Sequence, residues 1–459
     1  MLRAALRAVI VGVSVGTMLF GLFYAINAMS LRQPTAAMVN HVRLAFRHGD
    51  LDEDDYKRGD TRLGEHQFND CLILAMAIDH RAEDRDLRIS TSHAFPRMND
   101  GMCRNLGIVA KDGFGARPIV FYHNYIHGHV TLTRFLLPRL RLDQIRALYK
   151  AIGIALVGLG LILGLWQLAK GRVQGAFWAL MFFVLGRWFG LEAFGQSLGH
   201  GPSDIVFLGY ALGLAFASAR GGVGTRTLVA SAAVYGGATI IFELLTGGIP
   251  LGLALLIGGL PFACADGVRI GRTVLLSVFA YCNAIITCCT IKLLLVAHVF
   301  GWGTVMRIGD QGAQRIAGVP ATETAIPLGI TAWVSRIWGQ MTGLASGMAP
   351  LTMLVLETSV IAGIWGIVTI RRRSGGTIGV PLACLALSNA PIVLWMAVFA
   401  QHTIVHAWFM DRMFAWTIAT GAAIFMIAVG SLHGTRWLET HAFRKPAFRL
   451  DDVATSNSS

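Results

Sequence analysis

Apolar runs of membrane-spanning length recur along almost all of this 459-residue chain, and that recurrence leaves it few ways to fold. A bilayer core takes roughly 20 apolar residues as a helix, and inside it every backbone N–H and C=O must find its partner within the protein. By that rule the sequence predicts about ten spans: 5–28, 147–168, 174–191, 203–219, 227–245, 249–265, 273–299, 350–370, 377–400 and 413–432. The fourth and sixth are short and begin near Gly201-Pro202 and Gly248-Ile249-Pro250. The interval 321–347, interrupted by Arg336, Gln340 and several Gly, reads as an outer amphipathic or re-entrant helix. The expected fold is an all-α polytopic membrane protein with a mean hydropathy of +0.57.

One long segment departs from this pattern. Residues 29–145, between the first span (1–28) and the remaining bundle (146–432), hold 15 of the 26 Asp and Glu and 8 of the 14 His. They read as a mainly helical extracytoplasmic domain. Lys and Arg in the short connections set the orientation. With the N-terminus inside, the inner connections carry 15 bases against four acids, while the large loop, with 16 bases and 15 acids, is nearly neutral. The net charge of +13 is thus mostly a positive-inside signal facing an anionic leaflet, not a nucleic-acid footprint. Both termini fall on the cytoplasmic side, and 433–459 reads as a disordered tail. The first span has the basic flank of a secretory signal, but its length favours a retained anchor.

Five of the seven Cys lie in spans, as small apolar side chains do. Cys71 and Cys103 are the only pair in the outer loop. In an oxidising compartment they are expected to close a loop of about 30 residues, a disulfide worth ~3 kcal/mol.

Three polar clusters lie on the outer side. In the first, 62–79, Asp70 stands at the expected start of an apolar helix. There it either caps the helix or acts as a general base, with Glu65 the second candidate carboxylate. The second runs from Phe121 to Arg134: His123 and His127 would share a helix face, His129 follows, and the Tyr and His rings also suit the headgroup zone without any further role. The third, 401–412, sets His402 and His406 one turn apart, with Arg412 where the last span begins. A guanidinium at that depth suits a lipid-linked phosphate, although Asp411 and Arg412 also read as an ordinary helix-end pair. A His-x3-His spacing without a third placed ligand leaves a divalent metal ion open as a cofactor, with no assigned ligand.

Charged residues within spans (Arg187, Glu192, Glu243, Lys292, Glu357) should face protein or water. No Gly-x4-Gly-Lys-Ser/Thr motif occurs, which argues against an ATP-driven pump, and no internal repeat is evident.

Taken in order, Phe68-Asn69-Asp70-Cys71 before an apolar helix, the Tyr/His-Gly-His stretch running through Arg134 into the second span, and the late His-x3-His…Arg turn carry a resemblance. The chain resembles a family of bacterial polytopic envelope proteins and is similar in plan to the GT-C glycosyltransferases, which use polyprenyl-phosphate sugars. The resemblance implies an inner-membrane enzyme with its active face extracytoplasmic, transferring a sugar to an envelope glycan or lipid. It implies Asp70 as the catalytic carboxylate, and Arg134, His402, His406 and Arg412 as contacts to the carrier phosphate. His127 would assist proton transfer, and Asp70→Asn would abolish activity while sparing the fold. The alternative is a transporter or flippase for a lipid-linked or anionic solute, using Glu243, Lys292 and Glu357 along a path through the bundle.

Overall fold

In the computed structural model the apolar runs are helices, and their packing follows from where small residues let backbones meet. The structure describes residues 2–56, 66–82, 84–96, 101–172, 174–193, 195–243, 247–317, 349–373 and 379–432, with Thr331 and Ser335. Glu65, the rest of 321–347 and the 433–459 tail lie outside them.

Helix α1 (Leu2–Ser30) runs against α10 (Thr225–Phe242) and α12 (Ile270–Phe300). Gly12 and Gly16 make that approach possible: a Cβ on Gly12 would stand 2.6 Å from the Ala280 carbonyl oxygen, and one on Gly16 2.9 Å from that of Ala284. Close backbone contact of this kind is how apolar helices associate when lipid removes the hydrophobic drive between them. Helix α7 (Leu142–Ala169) packs on α8 (Gln174–Trp188) and α9 (Gly201–Ala219). The last two long helices, α14 (Ala349–Arg373) and α19 (Phe414–Leu432), pair with each other, and α19 also lies on α8. Between them come α15 (Val380–Leu387), α16 (Ala390–Val398) and the short α17 (Ala400–Val405) and α18 (Ala407–Met410). Trp178, Phe182, Tyr281 and Trp416 are buried in the shared apolar core.

Among the described residues, eight helical segments are long and apolar enough to cross a membrane, α15 and α16 together making one of them, fewer than the ten expected. The expected spans 174–191 and 249–265 account for the difference. The first is the 15-residue α8, and the second is α11 (Gly248–Gly258), 11 residues followed by a 3-10 turn. Both are apolar on every side and largely buried, which marks helices enclosed by their neighbours. A helix not counted from the sequence, α13 (Trp302–Ala317), continues from α12.

The polar segment builds its own apolar core. Helices α2 (Thr35–His48), α3 (His66–Ile78), α5 (Met102–Asp112) and α6 (Gly128–Leu136) bring Met38, Val42, Leu74, Leu106 and Val130 together. A short helix α4 (Arg85–Ser90) leads into β1 (Ser92–Ala94), which pairs antiparallel with β2 (Val120–Tyr122), His93 opposite Phe121. Cys71 on α3 and Cys103 on α5 are joined by a disulfide, 5.1 Å between their Cα atoms. The same core runs on without a break to Tyr149 of α7 and to Leu198, so domain and bundle share buried surface.

Because the disulfide ties two core helices across 32 residues of sequence, the Cys71→Ser/Cys103→Ser variant should lose about 3 kcal/mol of domain stability. A thermal-shift comparison without reductant checks this, and wild-type protein should fall to the variant's value when dithiothreitol is added.

Candidate functional site

The connection from α1 through the domain to α7 turns the chain back toward the bundle, and the buried charges collect where the two meet. Asp70, the fifth residue of α3, is not at a helix cap. Its Oδ2 accepts from Arg146 Nε at 2.9 Å and Nη2 at 2.6 Å, and its Oδ1 accepts from the Leu198 backbone N–H at 2.7 Å. Arg146 also donates to the Asp50 carbonyl at 2.8 Å. The carboxylate is wholly buried, and burial pushes its pKa up while Arg146 and the Leu198 N–H oppose that push. With both oxygens engaged, Asp70 joins α3, α7 and the 197–201 turn.

A second junction lies where α1, α4, α6 and α12 meet. Asn27, near the end of α1, donates to the Ile89 carbonyl (3.1 Å) and accepts from Thr131 Oγ1 (2.8 Å) and Arg134 Nη1 (3.3 Å). Arg134 Nη2 donates to the Met76 carbonyl at 2.9 Å. Arg134 is buried, and in this position it braces α1, α3 and α6 rather than facing a carrier phosphate. Lys292 of α12 is also buried and donates to the Ser90 carbonyl. Between Lys292, Asn27, Ser90 and Ile126 lies a cavity of about 10 Å³, the size of a single water.

His127 stands at the edge of this junction. Its φ of 65° makes it the one non-glycine residue with positive φ among the described residues, a conformation that costs free energy and clusters at functional sites. The following Gly128 explains the turn, because a Cβ there would lie 2.7 Å from the Ile241 carbonyl oxygen at the end of α10. His127 Nε2 lies 2.9 Å from the Tyr122 carbonyl oxygen, which also accepts from Thr91 Oγ1 at 2.7 Å. A carbonyl can only accept, so Nε2 carries the proton and Nδ1 presents a lone pair. That Nδ1 is buried and has no hydrogen-bond partner. Burial first, then His129, Lys292 and Arg134, hold the His127 pKa well below the usual imidazole range, against the pull of the Tyr122 carbonyl. The ring is buried, neutral, fixed in one tautomer and unpartnered at one nitrogen. The expected shared helix face of His123 and His127 is absent, since His123 precedes the turn and its ring sits 4.5 Å from that of Phe300.

The late cluster folds over the start of α9. Arg412 Nη1 pairs with Asp204 Oδ2 at 2.8 Å, and its guanidinium lies 4.7 Å from the Phe189 ring centre. The rings of His402 and His406 are 4.6 Å apart, and Phe409 joins both to His200. Arg412 is buried, so its position suits bracing of the bundle better than phosphate capture. This cluster is linked to the others. Glu243, directly after α10, lies against Gly248, as does Ser203, and Leu198 ties the His200 turn to Asp70. The three polar stretches of the sequence thus form one belt between domain and bundle, each with its own local partners.

Three residues of weight escaped the sequence reading. Arg146, counted as the edge of a span, is the partner of Asp70. Asn27, counted as the end of an apolar run, organises the second junction. Asp79, passed over within the first cluster, is buried and bound by Arg81 through Nη2 at 2.7 Å and Nε at 3.0 Å, with His93 Nε2 at 3.6 Å. Burial pushes the Asp79 carboxyl up, but His93 and Arg81 outweigh it and hold it at about 2. A polar residue at a span boundary was the available signal for Asn27 and Arg146. Among the described residues no three His, Cys, Asp or Glu side chains are grouped to hold a metal ion. No protein-family model, curated protein or solved structure matches the chain.

Two outcomes follow from this geometry. Asp70→Asn leaves Arg146 as a buried cation without its anion, a change that typically costs 3–5 kcal/mol, so the variant should show a large drop in thermal stability in detergent. An unchanged melting temperature would remove the clamp. The imidazoles of His123, held at about 4, His129, held at about 3, and His127 stay neutral in the fold, while in the unfolded chain they take up protons below about 6.5. Stability should therefore be full above pH 6.5 and fall as pH drops from 6.5 toward 3. Asp79 adds a further loss below about 3.8. Melting temperatures across that range check the slope, which should lessen in His129→Gln.

Proposed function

We propose that the chain is a membrane glycosyltransferase that moves a sugar from a polyprenyl-phosphate donor to an envelope glycan or lipid on the extracytoplasmic side of a bacterial inner membrane, with His127 as its base. The observation that carries the reading is the state of that side chain: strained, neutral, tautomer-fixed and unpartnered at Nδ1. A neutral imidazole whose Nδ1 has no partner can accept a proton, and burial makes it a weaker base than the near-neutral value that general-base catalysis favours. In the step, the acceptor hydroxyl oxygen bonds to the anomeric carbon and its proton passes to His127 Nδ1. The carbon–oxygen bond to the phosphate breaks, and the electron pair leaves with the polyprenyl phosphate. Lys292, buried and bound to the Ser90 carbonyl, interacts electrostatically with His127 and, when protonated, would favour the anionic leaving group.

The one-sided distribution of charge supports transfer over transport. Among the described residues, the buried His and charged side chains belong to the domain or to the helix portions nearest it. A path through the bundle would need such groups at successive depths. Glu357 is exposed on α14, and Lys292 is bound to Ser90.

His127→Asn is the sharpest test, because Asn tolerates the left-handed conformation and removes the imidazole nitrogen. Transfer from a panel of polyprenyl-phosphate sugars in proteoliposomes should fall about 10²–10⁴-fold with the melting temperature nearly unchanged. Full transfer by this variant would exclude His127 as the base.

A further inference from the structure

Helix α13 (Trp302–Ala317) follows α12 after a break at Gly301, whose φ of 81° ends the span. Its position is fixed at two places. The ring of Phe300, the last residue of α12, is 4.5 Å from that of His123, and Gln311, in the third turn of α13, accepts from Asn124 Nδ2 at 2.8 Å. Arg307, between them, acts electrostatically on His123. The neighbouring residues His123 and Asn124 thus hold both ends of this stretch, and α13 stays beside the end of the membrane-spanning α12. It also packs on α17, which begins just after the span Val380–Val398. A helix tied to two span ends lies across the membrane edge on the domain side.

Three faces separate around this helix. At roughly 100° per residue, Thr304, Val305, Ile308 and Gly312 fall together and are buried or half-buried. Arg307, Asp310 and Gln311 form an exposed polar face. Trp302, Met306 and Ile316, which are 64%, 67% and 49% exposed, make the third, with exposed Gly309 and Ala313 between them. This apolar strip is turned about 140–180° from Gln311, so it faces away from the domain loop that Gln311 touches. An apolar strip opposite a polar face suits a helix lying in the membrane interface, and Trp prefers that depth. The strip offers five residues, far short of the roughly 20–30 a side that a specific protein interface uses, whereas a lipid surface needs only the strip itself.

We propose that α13 is seated on the lipid surface of the domain-side leaflet, with Trp302, Met306 and Ile316 at the boundary between headgroups and acyl chains and with Arg307, Asp310 and Gln311 turned to water and to the domain. Through Asn124 the bilayer then supports the loop that leads into His127. The proposal stands apart from sugar transfer, because it concerns a surface and not a reaction.

The test uses the full chain with its five free cysteines replaced by alanine, reconstituted in phosphatidylcholine vesicles. A nitroxide is attached in the Trp302→Cys, Met306→Cys and Ile316→Cys variants and, as the polar control, in Asp310→Cys. Electron paramagnetic resonance power saturation compares relaxation by oxygen, which concentrates in hydrocarbon, with relaxation by a neutral nickel chelate, which stays in water. The oxygen-to-nickel ratio should be several-fold higher at the three strip positions than at Asp310. Equal ratios at all four would put the strip in water and overturn the proposal. Immobilised strip labels reached by neither reagent would put protein on the strip and overturn it as well, with spin–spin broadening marking a second copy and its absence a segment of this chain. Only variants that melt with the unlabelled parent are read, and three strip positions keep the test decisive if one of them fails to fold.

Discussion

The buried ion pair between Asp70 and Arg146 is the contact on which the domain's placement rests. A carboxylate and a guanidinium withdrawn from water are tolerated only when their remaining donors and acceptors are matched. Here the matching groups come from three places in the chain: α3, the backbone at Asp50 and the turn at Leu198. Each partner therefore fixes the others. The disulfide on the neighbouring residue, Cys71, anchors the same turn of α3 to α5, so the clamp is held from the domain side as firmly as from the bundle. Once α3 is set, the Met76 carbonyl is in place for Arg134, and Arg134 with Asn27 sets the second junction.

That second junction explains why a strained histidine can persist. The left-handed turn at His127 is over-determined: Gly128 is pressed against the end of α10, the ring is hydrogen-bonded to the Tyr122 carbonyl, and Thr91 fixes that carbonyl from the opposite strand. Strain held by its surroundings on every side is the form in which functional sites keep it. Burial above all, with Lys292 and Arg134 adding to it, keeps the imidazole neutral.

The sequence made the architecture legible wherever a run exceeded 18 apolar residues, and misjudged it where burial took the place of length. Helices α8 and α11 read as spans because hydropathy cannot tell lipid from protein interior as an apolar surrounding. The polar clusters were visible for the same reason that the spans were: ionisable residues stand out against an apolar chain. Their roles were not visible. Asp70 looked like a cap or a base because it stood at the expected start of an apolar helix, whereas its partner Arg146 is 76 residues away, one residue before a predicted span. Arg134 and Arg412 looked like phosphate ligands, yet each is enclosed by partners from distant segments.

The protonation state of His127 is the point on which the account turns most directly. Nitrogen-15 NMR of imidazole-labelled protein, with His127→Asn identifying the signal, reads it without reference to substrate or activity. The account predicts a neutral ring, with the proton on Nε2 and an unprotonated Nδ1, both above and below the ordinary imidazole value of about 6.5. A signal that titrates near the ordinary imidazole value, or a proton on Nδ1 at neutral pH, would contradict it.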